Sequence, residues 1–354
     1  MHQSSVLNWL AVGTLFLVLG STAIAIALLS LGNPAWAATE VNVYSARKEA
    51  LIKPLLDEFT KTTGTKVNLV TGKADALLQR LKSEGKHTPA DLLITVDAGR
   101  LHRAKAAGLL QPAESKVFET TVPAAYRDPE KYWVGLSLRA RPIMYSKDRV
   151  KANEITSYED LADSKWRGRI CIRSSNNIYN QSLVASLIAA HGEEKTLAWA
   201  KGLVANLARA PKGGDRDQIK AAAAGQCDIA VANTYYLGGM LHSKHDNERQ
   251  AANKVAVLWP NQSGRGAHVN ISGAGVTHYA KHKEAAIKLL EFLLNESSQK
   301  FYAEKNYEYP IRADVAFKDP IGGWGNVKTD PLNLAKLGEN NAAAVKLMDR
   351  AGWR

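Results

Sequence analysis

The run Trp133-Val-Gly-Leu-Ser-Leu-Arg-Ala-Arg-Pro-Ile-Met-Tyr-Ser146 decides the architecture. It is strand-forming throughout and exceeds the usual strand length of about five or six residues. A strand that long reads as one that leaves one lobe and enters another. Before it, strand and helix alternate. Val41–Ser45, Lys66–Gly72 and Ala90–Asp97 read as strands, with helical spacing over Arg47–Thr62 and Ala74–Gly85 between them. That order implies a parallel sheet with right-handed crossovers. After the long run the pattern restarts. Lys165–Arg173 reads as a strand, followed by helices over Asn180–Ala190, Glu193–Leu207 and Arg216–Ala224. Further strands are expected at Cys227–Asn233 and Val255–Trp259, and Asn270–Val276 can cross back. Lys283–Asn295 is strongly amphipathic and reads as a helix. The expectation is two α/β lobes joined by crossing segments, an arrangement suited to hinge closure on a ligand.

Composition narrows the function classes. The chain has 354 residues, 45% of them hydrophobic, enough for two proper cores. The formal charge is +12 and is spread along the chain. That favours anionic partners in general, but no basic stripe interleaved with aromatics marks a nucleic-acid surface. Residues 1–37 hold no Lys, Arg, Asp or Glu. An apolar stretch there, then Ala35-Trp36-Ala37, fits an export signal cleaved before Ala38. The stretch is also long enough to span a bilayer, so an uncleaved anchor is the alternative. Either reading places residues 38–354 outside the cytoplasm, in the periplasm. In that compartment two cysteines suggest a disulfide. Cys171 and Cys227 each open a strand-like run, so neighbouring strands would bring them together; two reduced cysteines in one core are the alternative.

Several polar groups stand at strand ends. Cys227-Asp-Ile-Ala-Val-Ala-Asn-Thr-Tyr-Tyr236 is an apolar strand that stops at Asn233 and delivers two tyrosines at once. Ligands of open α/β sheets sit at such carboxyl ends. The pair reads either as packing or as oxygen ligands. Arg173–Ser182 ends a strand, supplies capping residues and places Tyr179 at a helix start. Arg139 and Arg141 are two apart on a strand and share a face, as an anion clamp or as a solvated edge pair. Gly213-Gly-Asp-Arg-Asp217 reads as a turn capping a helix. His278 and His282 have no carboxylate or cysteine near them in sequence and read as surface residues. No nucleophile elbow, Walker loop or zinc-hydrolase helix is present, so no enzyme class is indicated.

Taken together, Val43–Glu49, Pro89-Ala-Asp91, Leu138–Arg141, Ser174–Asn180, Gly213–Asp217, Ala232–Tyr236 and Asn270–Gly273 resemble the periplasmic ferric-iron-binding proteins of ABC importers. These are the bacterial transferrins. The resemblance implies an α/β, two-lobed type II periplasmic-binding-protein fold with hinge-crossing strands. Residues 38–138 and 271–312 would form the N-terminal lobe, and 139–270 with 313–354 the C-terminal lobe. It further implies a monomer that captures Fe(3+) between the lobes and delivers it to an inner-membrane ABC permease. Tyr179, Tyr235 and Tyr236 match the family's ferric ligands. Arg141, and less closely Arg139, match the contacts of a synergistic carbonate or bicarbonate. Many members carry His or His-Tyr where this chain has Lys48 and Glu49. An ammonium cannot bind the metal, so Glu49 is the remaining candidate for a fourth protein ligand. The competing expectation keeps the fold but changes the cargo to a small oxyanion such as phosphate or phosphonate.

Overall fold

The computed structural model describes residues 40–318 and 321–354. The export-signal or anchor reading of residues 1–37 falls outside them. Ten strands occur among the described residues: β1 (Glu40–Ser45), β2 (Lys66–Thr71), β3 (Leu92–Val96), β4 (Val134–Ala140), β5 (Ile143–Ser146), β6 (Ile170–Cys171), β7 (Ile229–Val231), β8 (Val255–Leu258), β9 (Val269–Val276) and β10 (Tyr309–Pro310). They form a six-stranded sheet, order β10-β4-β9-β3-β1-β2, and a four-stranded sheet, order β6-β7-β5-β8. In the larger sheet β1 runs parallel to β2 and β3, while β9 is antiparallel to both β3 and β4. In the smaller sheet β6 and β7 are parallel, and β5 is antiparallel to β7 and β8.

The long run is therefore two strands in two sheets. β4 ends at Ala140, Arg141-Pro142 intervene, and β5 begins at Ile143. Proline has no N–H to give to a ladder and fixes φ, so the chain changes sheet there. The return passage ends at β9. Tyr158 ties the two passages together: its buried hydroxyl donates to the Arg141 carbonyl at 2.7 Å and accepts the His268 N–H at 3.1 Å. Arg141 N–H also donates to the His268 carbonyl at 3.2 Å. After β10 the chain returns, and its last helices, Ala335–Glu339 and Asn341–Arg350, pack on the helix Ile178–Ala205. Ala335–Glu339 also presses on the helix Ala98–Ala106, where Gly338 leaves no room for a Cβ against His102.

Local chemistry moves some boundaries. The helix expected from Arg47 runs over Lys53–Thr63, after a short 3₁₀ turn at Glu49–Leu51. Pro54 does not kink it. It sits in the first turn, where its missing N–H costs no helical bond. Gly64, at φ 71°, ends it. The helices Asn180–Ala190 and Glu193–Leu207 run together as Ile178–Ala205, interrupted only at Gly192, whose φ is 80°. Cys171 and Cys227 are disulfide-bonded, with Cα atoms 5.9 Å apart, where β6 lies beside β7. His282 is not an isolated surface residue. Its Nδ1 lies 3.0 Å from the buried Asp91 carboxylate, 191 positions away in sequence.

Candidate metal centre

β7 is a buried apolar strand, and Asn233 keeps an extended backbone (φ −75°, ψ 144°) before the helix Thr234–Leu241 begins. The two tyrosines therefore occupy the first helical turn. There the side chains project from one end of the helix instead of alternating across a strand. Their rings stand side by side, with centroids 4.4 Å apart and planes 40° apart. Asn233 Nδ2 donates to the Tyr235 hydroxyl at 3.1 Å. Tyr179 lies in the first turn of Ile178–Ala205, just after β6. All three phenols are half-buried.

Arg139, at the end of β4, brings them together. Its guanidinium carbon is 4.3 Å from the centroid of the Tyr235 ring and 5.1 Å from that of Tyr179. Its Nη2 reaches the Tyr179 hydroxyl at 3.5 Å. Arg139 is buried, and its Nε and Nη1 have no hydrogen-bond partner among the described residues. On the far side, Nε faces the buried Glu308 carboxylate at 3.6 Å, an ion pair but not a hydrogen bond. Glu308 Oε2 in turn holds Arg47 Nη1 at 3.0 Å and accepts from Ser272 Oγ at 2.9 Å and from Ser137 Oγ. A chain of buried charges thus runs from Arg47 through Glu308 to Arg139 and ends at the phenols.

These charges set the phenols apart from one another. Burial pushes the Tyr179 phenol up, but the Arg139 charge and a hydrogen bond from Tyr235 outweigh it, and the net direction is down. Tyr235 is pushed well above the ordinary tyrosine value, first by burial and then by the neighbouring Tyr179 and Tyr236. Burial, with Tyr179 and Asp215 nearby, raises Tyr236 to about 12. Burial works against the Arg139 charge, but Tyr179 and Tyr235 hold that guanidinium protonated.

The other expected site residues lie elsewhere. Arg141 is fully buried and almost fully engaged. Nη1 donates to Asp215 at 2.9 Å and Asn233 at 2.7 Å, and Nη2 donates to Asn180 at 2.6 Å and the Val231 carbonyl at 3.3 Å. Only its Nε is free among the described residues. Arg141 is thus held within its lobe, whereas Arg139 keeps the donors of Nη1 free among the described residues. Asp215, expected only to cap a helix, holds Arg141 with one oxygen and Arg173 with the other at 2.8 Å. Glu49 is exposed on its 3₁₀ turn and lines a surface recess with Ala50, Lys53, Pro54 and Asp57, a recess that no phenol lines. The structure does not bring it to the tyrosines. Among the described residues no three His, Cys, Asp or Glu side chains gather as metal ligands. Glu308 and Arg47 were not singled out in the sequence, and no local pattern marks Glu308, which reaches its partners across as many as 261 positions.

Known proteins resemble this chain. The chain is 51% identical over 315 residues to Iron uptake protein A1 of Synechocystis, covering 89% of this chain and 88% of the relative. It superposes with a TM-score of 0.87 and 51% identity on the Trichodesmium FutA (IdiA) protein solved with iron and citrate ligands, covering 89% of this chain and all of that one. The ferric binding protein of Campylobacter jejuni gives a TM-score of 0.84 at 41% identity, again over 89% of this chain and 100% of its own. The resemblance carried by the motifs is borne out by these relatives, and the two sheets are those of the two-lobed type II periplasmic-binding fold. The family model for bacterial extracellular solute-binding proteins matches residues 87–329, and the chain belongs to that family.

Proposed function

We propose that this protein is a periplasmic solute-binding protein that captures ferric iron between its lobes and delivers it, as a monomer, to an inner-membrane ABC permease. One observation carries the reading: three half-buried phenols gathered around a single buried guanidinium. Hard cations take oxygen ligands, and tyrosinate is an established iron ligand. A free tyrosine, with a pKa of about 10, is neutral at pH 7. The metal's own charge drives deprotonation, so loading releases a proton from each phenol that was neutral beforehand. Three phenolates match the charge of Fe(3+). Arg139 offsets the further charge of a synergistic anion, and the N–H groups of its unpartnered Nη1 are the donors suited to hold one. Carbonate or bicarbonate is the anion the motif resemblance implies, and the Trichodesmium relative was solved with citrate. The iron set is thus Tyr179, Tyr235 and Tyr236, without Glu49. The role is transport, not catalysis.

The same free donors on Arg139 favour a second reading, a binding protein for a small oxyanion. The two separate by colour. Ferric loading in the presence of bicarbonate is expected to give a visible phenolate-to-iron charge-transfer band, which Tyr235→Phe or Tyr236→Phe bleaches or shifts. A protein that stays colourless, yet is thermally stabilised by phosphate or a phosphonate alone, would support the oxyanion and overturn the iron reading.

A further inference from the structure

Away from the phenols, one buried carboxylate has no ion-pair partner among the described residues. Asp97 follows β3 and is almost wholly buried. Its oxygens accept from three groups: Gly99 N–H at 2.9 Å, Asn270 Nδ2 at 2.8 Å, and Ser182 Oγ, whose hydroxyl is 2.8 Å from both oxygens. Asn270, on β9, returns its own oxygen to the Ala98 N–H at 2.8 Å. The Asp97 backbone sits at φ 81°, a conformation that is strained for a residue other than glycine. A buried, unpaired carboxylate is a further cost unless it is fully hydrogen-bonded. Both costs fall at one residue, and stability alone gives no reason for the pairing.

The geometry supplies a reason. Asp97 and Asn270 belong to the six-stranded lobe, whereas Ser182 is on Ile178–Ala205, which follows β6 of the other sheet. Ser182 lies three residues after Tyr179 and so on the same helical face. The contact is close around it: a Cβ at Gly99 would lie 3.8 Å from Ile178 Cδ1 and 3.9 Å from Ser182 Oγ. The other side of this turn is fixed by Asn180, which accepts from Arg141 and donates to the Arg173 carbonyl at 2.8 Å. The Ser182 bond, together with the Arg139 contact to Tyr179, ties the turn to the larger lobe.

We propose that Asp97 is a positioning residue for the metal site: acting through Ser182, it fixes the first turns of Ile178–Ala205 against the six-stranded lobe and so sets Tyr179 against Arg139 and Tyr235. The proposal rests on the ferric reading above. Loss of an outer-shell partner of this kind weakens metal binding by about 10–100-fold.

The test uses the full exported chain. Ser182→Ala removes only the hydroxyl. Asp97→Gly removes the carboxylate and relieves the backbone, so it provides a second variant that folds without strain. For each, the charge-transfer band is recorded at saturating ferric iron with bicarbonate, and the iron off-rate is measured by chelator competition. Both variants are expected to shift the band and speed release about tenfold or more. Tyr179→Phe should add less than its own factor in the Ser182→Ala background, whereas Tyr236→Phe should add its full factor. A coloured wild type with unchanged band and off-rate in both variants would overturn the positioning role. So would full additivity with Tyr179→Phe, which marks a merely structural loss. A colourless wild type would instead overturn the ferric reading itself.

Discussion

Arg139 is the residue on which the phenols converge, and its charge is what moves Tyr179 down against the opposing effect of burial. The sign of its removal follows. Without that charge Tyr179 binds its proton more tightly, so protons displace iron at a higher pH. Arg139→Gln is therefore expected to move the midpoint of acid release upward, as read from the charge-transfer band, and to leave Tyr236 still able to contribute. Glu308 acts from behind. Its carboxyl is pushed up by burial but held below the ordinary value by Arg47 and Arg139. A carboxyl lowered in the folded state contributes stability above its ordinary pKa and loses it on acidification through the folded value. Glu308→Gln keeps hydrogen-bonding capacity but leaves Arg47 buried without its counter-charge. A loss of about 3–5 kcal/mol is expected in denaturant unfolding at neutral pH; a loss below 1 kcal/mol would show that the network is not a charge balance.

At the scale of elements, one buried side-chain hydroxyl, that of Tyr158, bridges the two crossing passages beside their backbone bonds. Tyr158→Phe leaves the His268 N–H and its share of the Arg141 carbonyl unsatisfied in a buried place. The expected cost is about 1–3 kcal/mol, measured by urea unfolding. The Cys171–Cys227 bond closes a span of 56 positions. By chain entropy its reduction should cost about 4 kcal/mol, detectable as a lower melting temperature with reductant. Much of this layer was legible in sequence, because periodicity carries it. The run Trp133–Ser146 announced a passage between lobes, though as one strand where there are two, and the stop at Asn233 announced a helix start with tyrosines in its first turn. The helix start at Lys53 was misplaced because Pro54 reads as a kink until its place in the first turn is seen. Glu308, Asp215 and Asp97 stayed hidden for another reason. Their meaning comes from partners as many as 261 positions away, or from a buried environment, and neither leaves a local pattern. Nor does the pattern of Arg139 and Arg141 show that Asp215 and Asn180 occupy Arg141.

For the whole molecule, the formal charge of +12 belongs entirely to residues 38–354, since residues 1–37 carry no Lys, Arg, Asp or Glu. Such a charge draws anionic ferric chelates toward the protein. Capture from ferric citrate should slow as ionic strength rises from about 0.01 to 0.15 M, where the Debye length falls from about 30 to 8 Å. A rate independent of salt would remove steering from the account. The central claim is that one ferric ion is bound by phenols of the four-stranded lobe, next to a guanidinium from the other. Anomalous diffraction at the iron edge from ferric-loaded crystals tests it most directly. The predicted result is a single iron within bonding distance of the hydroxyl oxygens of Tyr179, Tyr235 and Tyr236, with Arg139 beside it and Glu49 unbound. An iron located away from those three oxygens, or held by Glu49 in place of Tyr179, would contradict it.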